Sequence, residues 1–136
     1  DAMALYLVRR PEAYDVLVAE NMYGDILSDL AAGLVGGMGM APSGDIGEDA
    51  AVFQPSHGTA PDIAGQGIAN PVGMILSAAM MWRWLGHRHD DTEALAAAER
   101  IEAAVRTIMA EGAATPDLGG TMKTDELGRA IADACN

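Results

Sequence analysis

The sequence predicts an α/β chain, and three observations predict it. Residues 15–21, DVLVAEN, form a short and nearly continuous apolar run, as in a strand buried on both faces. Apolar residues recur at three- and four-residue spacing in later stretches, as on amphipathic helices. Between these stretches Gly, Pro and Asn cluster and mark the turns.

Taken in order, residues 1–10 read as a helix stopped before Pro11, with Met3, Leu7 and Val8 on its apolar side. The expected strand at 15–21 follows. A helix is expected from about Gly24 to Val35, and the Gly-rich VGGMGMAPSGDIG as a loop or crossover. AVFQP, residues 51–55, is a candidate short strand. Asn70 is placed to cap a helix with Pro71 at its first position and Gly86 at its end. That helix, PVGMILSAAMMWRWL, is apolar on most faces and is expected to be deeply buried. HRHDDT reads as a loop. Asp91 or Thr92 opens a helix with Leu95, Ala98, Ile101, Val105 and Ile108 on one side, closed by Gly112. Thr124 is expected to cap a last helix carrying Leu127, Ile131 and Cys135.

Bulk properties narrow the function classes. A length of 136 residues suits one domain or parts of two, and half the residues are hydrophobic. No run of 18 apolar residues is free of charge, so no membrane partner is expected. Twenty acidic residues against eight Lys and Arg argue against nucleic acid, which needs a basic patch. The lone Cys135 excludes an internal disulfide and fits a reducing, cytoplasmic setting. The chain opens on Asp1 rather than Met, so it is expected to be part of a longer protein.

Two constellations carry chemistry. In NMYGDILSDLAAGL, Asp25 and Asp29 are four apart and share a helix face with Ser28 and Ala32, while Leu27, Leu30, Ala31 and Leu34 take the other. Spacing alone leaves two readings open. Acids in a first helical turn are favoured by the macrodipole. Alternatively both carboxylates face a hard divalent cation such as Mg²⁺. The second constellation is PSHGTAPDIAGQGIANP, residues 55–71, too polar and too broken by Gly and Pro to be core. Gly58, Thr59 and Ala60 would let a flat ligand approach the backbone, and His57 can stack on or hydrogen-bond a base, although a lone His is commonly structural. No G-x-G-x-x-G follows a strand, so an ordinary Rossmann site is not indicated. His87 and His89 with Asp90 and Asp91 offer weak support for a transition metal. DLGG, residues 117–120, reads as a turn, and the Met and Trp residues as packing.

NMYGDILSDLAAGL, HGTAPDIAGQGIANP, ILSAAMM and TPDLGGTMKT together resemble the C-terminal part of the metal-dependent β-decarboxylating dehydrogenases, the isocitrate, homoisocitrate, 3-isopropylmalate and tartrate enzymes. The resemblance runs in the family's order over almost the whole chain. It implies a fragment of that two-domain α/β fold: residues 1–35 in the smaller domain, with the dimer-interface helix and metal acids, and 36–136 in the larger cofactor-binding domain. It implies Asp25 and Asp29 as ligands of Mg²⁺ or Mn²⁺. Asp1 would be a third acid, supplied to the partner's site and able to relay a proton. It matches His57, Gly58, Thr59, Ala60, Asp62, Ile63 and Asn70 to the adenosine-binding segment. A homodimer or larger homo-oligomer follows from it.

The implied reaction is NAD-dependent oxidative decarboxylation of a small 2-hydroxy acid of the malate type, with the metal as Lewis acid. A carboxylate at Asp62 can accept from the ribose hydroxyls of NAD and would repel the 2′-phosphate of NADP. NADP-using members tend to carry Lys-Tyr at positions 62 and 63. GLVGGMGMAPSGDIG, RIEAAV and TPDLGGTMKT lean toward isocitrate or homoisocitrate, with 3-isopropylmalate next. A non-catalytic nucleotide-binding regulatory subunit is the reading of another class, against which the intact acids argue. The family's catalytic Tyr, Lys and Arg groups would lie upstream of Asp1. Gln54 departs from the family's usual Glu.

Overall fold

The computed structural model describes all 136 residues. Helix α1 (Ala2–Arg9) ends before Pro11, as the residue preceding a proline disfavours the helical region. Leu7 is its one buried side chain. Val8, expected on the apolar side, is exposed. A 3-10 turn at Pro11–Ala13 leads into residues 14–20.

The strand expected at residues 15–21 does not form. Val16 is 81% exposed and Val18 95% exposed, and no strand of this chain pairs with the segment. Its backbone runs instead beside helix α2 (Asn21–Leu34), where Leu17 and Ala19 border a cleft with Gly24, Leu27 and Ala31. A strand needs a ladder partner as well as an apolar sequence, and the partner is the missing term. Helix α2 also starts three residues earlier than expected. Its faces are shifted: Ala32 is buried and Leu34 is 45% exposed, against the expected division.

Strand β1 (Pro42–Ile46) occupies the second half of the expected loop. It pairs antiparallel with β2 (Ala51–Pro55), the strand that AVFQP predicts, with Pro42 opposite Pro55 and Ile46 opposite Ala51. PSGDI is poor in strand-favouring residues, so only the pairing makes it a strand. Gly44 leaves room for the Phe53 ring, which a Cβ would meet at 3.0 Å. That ring leans on Trp84, with centroids 6.1 Å apart.

The hairpin packs on helix α3 (Val72–His89). The buried Ser77 hydroxyl lies 2.7 Å from the Gln54 carbonyl and 2.8 Å from the Gly73 carbonyl, and its one proton serves either. Helix α3 is less enclosed than expected. Val72, Gly73, Ser77, Ala79 and Gly86 are buried, but Met74 and Trp82 face solvent. Gly86 does not end the helix. It lies inside it because helix α4 (Thr92–Ala110) crosses close: a Cβ there would stand 2.6 Å from Leu95 Cδ2. The helix therefore takes in His87, Arg88 and His89, expected as loop, and ends at Asp90 in the left-handed region. Arg88 reaches back to the hairpin turn, donating to the Glu48 carbonyl and lying over the Trp84 ring.

Helix α4 is as expected. The Asp91 carboxylate accepts from the Glu93 and Ala94 amides at 2.9 and 3.1 Å, and Gly112 at φ +86 closes the end. Its Ala104 and Val105 meet Val72 of α3 and Leu127 and Ile131 of helix α5 (Thr124–Ala134) in the main core. Arg83 of α3 pairs with Glu102 of α4 at 2.6 Å, and that hydrogen bond raises the guanidinium pKa. Thr124 is not the cap of α5. Glu126 accepts from the Lys123 amide at 2.8 Å, and the Thr124 hydroxyl donates to the Ala69 carbonyl at 2.6 Å, tying α5 to the loop before α3.

Candidate functional site

The two constellations lie in different parts of the fold. Because α2 begins at Asn21, Asp25 is its fifth residue and Asp29 its ninth. No acid occupies the first turn, where the dipole effect is concentrated, so the helix-start reading of the pair fails. Both carboxylates are exposed, and neither has a Lys or Arg within ion-pair distance. Like charges at this spacing cost a few tenths of a kcal/mol in a helix, and nothing in this chain offsets that cost. Two unpaired carboxylates on one helix face form an oxygen donor set suited to Mg²⁺ or Mn²⁺.

Asp1 stands elsewhere. It borders a hollow with Ala4, Tyr23, Ile26 and Leu27. At 100° per residue, Tyr23 and Leu27 lie on the side of α2 opposite Asp25 and Asp29, with Ile26 between the two sides. No three His, Cys, Asp or Glu side chains of the chain gather for a metal. His87 and His89, two apart on α3, do not face each other.

The second site is a pocket of about 180 Å³ lined by Gly39, His57, Ala60, Ile63, Ile68, Ala69, Asn70 and Asp117. Three segments build it: the turn before β1, the loop after β2, and the 3-10 turn Pro116–Leu118. Of the expected binding residues it gathers His57, Ala60, Ile63 and Asn70. Gly58, Thr59 and Asp62 are exposed and outside the lining, with Asp62 next to the lining residue Ile63. Ala60 sits at φ 44 and ψ 61, a left-handed conformation that costs a residue with a Cβ about 1 kcal/mol or more. His57 Nδ1 lies 2.8 Å from the Gly58 carbonyl. A carbonyl only accepts, so Nδ1 carries the proton, and a neutral ring leaves Nε2 as an acceptor.

Asn70 is only 7% exposed and its side chain is committed at both ends. Oδ1 accepts from the Val72 amide at 3.0 Å, which caps α3 as expected, although Pro71 precedes rather than opens the helix. Nδ2 donates to Asp117 Oδ2 at 3.0 Å. The adenine contact expected at Asn70 is thus open only to its backbone, whose N–H and C=O make no internal hydrogen bond. The other carboxylate oxygen of Asp117 accepts from the buried Thr115 hydroxyl at 2.5 Å.

Sequence reasoning missed Gly39 and Asp117 as site residues. DLGG does form a turn, but it delivers Asp117 into the pocket. Gly39 is a close-approach glycine: a Cβ there would lie 2.9 Å from Asn70 Cβ and 3.0 Å from Asp117 Oδ2. Contacts spanning 47 residues leave no trace in local pattern. Gln54 is exposed and outside the lining. Shape and chemistry suit a flat, weakly polar ring between Ile63, Ile68 and the backbone at 69–70.

Comparisons with known proteins agree on one group. A sequence model described as isocitrate/isopropylmalate dehydrogenase matches residues 1–131. The chain is 55% identical over 134 residues to an isocitrate/homoisocitrate dehydrogenase of Thermus thermophilus, covering 98% of this chain and 38% of that protein. It is 52% identical over 132 residues to a 3-isopropylmalate dehydrogenase of Archaeoglobus fulgidus, covering 97% and 38%. The isocitrate dehydrogenase structure from Methylococcus capsulatus superposes with a TM-score of 0.89 at 45% identity, over 98% of this chain and 38% of that one. The chain thus spans a little over a third of the length of these relatives.

Proposed function

This chain belongs to the isocitrate/isopropylmalate dehydrogenase family, and from that membership we propose that the whole protein oxidatively decarboxylates a malate-type 2-hydroxy acid with NAD. Isocitrate or homoisocitrate is the favoured substrate, and 3-isopropylmalate the next. The observation that carries the reading is the unpaired Asp25 and Asp29 in the body of α2, where no local role accounts for them.

In this reading residues 1–35 belong to the smaller domain and 36–136 to the larger, cofactor-binding one. Asp25 and Asp29 hold Mg²⁺ or Mn²⁺. The bound ion supplies Lewis-acid polarisation of the substrate hydroxyl and the adjoining carbonyl, and NAD supplies the hydride acceptor. Asp1, on the far side of α2, serves the site of a second subunit, and this supports a homodimer or a larger assembly. The exposed Met22, Tyr23 and Ile26 support the same arrangement, because an apolar surface of that kind calls for a partner. The pocket between Ile63, Ile68 and Asn70 takes the adenine, and Asp62 at its rim takes the ribose hydroxyls. No helix is long and apolar enough to cross a membrane, and a cytoplasmic site of action belongs to the proposal.

The test is a kinetic screen of the full-length protein with Mg²⁺ or Mn²⁺ against isocitrate, homoisocitrate and 3-isopropylmalate, using NAD and NADP. Turnover of one of them with NAD, coupled to CO₂ release, is expected. Absence of turnover with all three, although the upstream catalytic groups are intact, would overturn the reading.

A further inference from the structure

We propose that residues 57–69 form a movable strap latched by Thr124, so that helix α5 sets how readily the strap opens. Between Ser56 and Asn70 the chain has little else to hold it. His57, Ile63 and Ile68 are half-buried, and every other residue of the strap is exposed. Its own hydrogen bonds are local. The amides of Ile63, Ala64 and Gln66 donate to the carbonyls of Ala60, Pro61 and Ile63, and the Gln66 side chain donates to the Asp62 carbonyl. Only Thr124 joins residues 57–69 to the rest of the chain by hydrogen bonds. Its amide donates to the Gly67 carbonyl at 2.9 Å and its hydroxyl to the Ala69 carbonyl at 2.6 Å.

The latch stands on a fixed element, because α5 carries Leu127 and Ile131 into the main core. The strap has the backbone to move. Gly65 at φ +76 and Gly67 at φ +63 bear no Cβ to restrict them. Ala60 at φ 44 is strained, so the closed strap is held against a cost. A segment with so few buried contacts opens locally, well below the cost of unfolding the core. The strap also forms one wall of the pocket, through Ala60, Ile63, Ile68 and Ala69. A consequence for cofactor exchange therefore rests on the function proposed above, whereas the latch itself is measurable without any ligand.

The experiment follows amide hydrogen exchange in the ligand-free, full-length protein. In wild type, peptides across residues 61–69 should exchange by local opening, far faster than α4 around Val105. Thr124→Val keeps the shape and the amide but removes the hydroxyl. It should speed exchange across 61–69 roughly three- to tenfold and leave α4 unchanged. Thr124→Ser, which keeps the hydroxyl, should exchange like wild type. Bound NAD should slow the strap, and NADH should leave Thr124→Val faster by a similar factor. A wild-type strap as slow as the core would overturn the inference, as would a Thr124→Val strap no faster than wild type. Equal acceleration of every region would reduce Thr124 to a stability role and overturn it as well. A strap loosened by Thr124→Val but untouched by NAD would support the latch and remove the cofactor reading of the pocket.

Discussion

Residues 1–34 and residues 36–136 follow the same patterning rules to different ends. The later region closes Val72, Ala104, Val105, Leu127 and Ile131 into one core, although Val52, Met74 and Trp82 stay exposed. The earlier region buries Leu7 and Ala32 and leaves Leu5, Val8, Val16, Val18, Met22 and Ile26 exposed. Apolar spacing states that a face wants cover, and it does not say which chain provides it. The contrast separates the chain into a body with its own core and a built pocket and an apolar arm with two unpaired acids.

The largest expected effect lies in the body. Leu127→Ala, at a site with no exposed surface, should cost about 2–5 kcal/mol in urea unfolding. An arm substitution, Val18→Ala at 95% exposure, should stay within about 0.5 kcal/mol in the 136-residue chain. A large loss at Val18 in that chain would erase the contrast. In the full-length protein, Ile26→Glu should break the proposed homodimer while leaving a folded protomer, with sedimentation of variant and wild type as the measurement. A variant still assembled like wild type would place the interface elsewhere.

A pair of glycines sharpens the comparison at lower cost. Gly86→Ala should destabilise by about 1–3 kcal/mol, because the added Cβ meets Leu95 at 2.6 Å. Gly33→Ala in α2 meets nothing within 4 Å and should stabilise by about 0.5–1 kcal/mol, through helix propensity alone. Equal signs for the two in thermal unfolding would contradict the packing described. At the α4 cap, Asp91→Ala should cost about 1 kcal/mol by removing the acceptor for two amides.

The same contrast explains how far the sequence could be read. Helix α4 was fully legible: Asp91, the apolar stripe and Gly112 are all local signals. Asn70 was legible as a cap for the same reason. Strand β1 was not, since PSGDI becomes a strand only through pairing with AVFQP. The expected strand at 15–21 had the converse fault, a strong apolar signal with no partner in the chain. Gly86 read as a stop because a glycine needed for helix contact looks like one needed for a turn. In the site, loop residues 57–70 declared themselves by composition. Asp117 joined them through contacts that no local pattern carries.

The proposed function assigns the metal ligands to the arm and the adenosine pocket to the body, so that each can be weakened without the other. Its most direct test is a crossed titration of Mn²⁺ and NAD into full-length wild type, Asp25→Asn, and the Asp62→Lys, Ile63→Tyr double variant. Asp25→Asn should weaken Mn²⁺ on the order of tenfold or more, through loss of one charged ligand, and leave NAD nearly unchanged. The double variant should weaken NAD by a similar factor, shift preference toward NADP and leave Mn²⁺ unchanged. Unaltered Mn²⁺ binding by Asp25→Asn, or a double variant whose preference stays with NAD, would contradict the account.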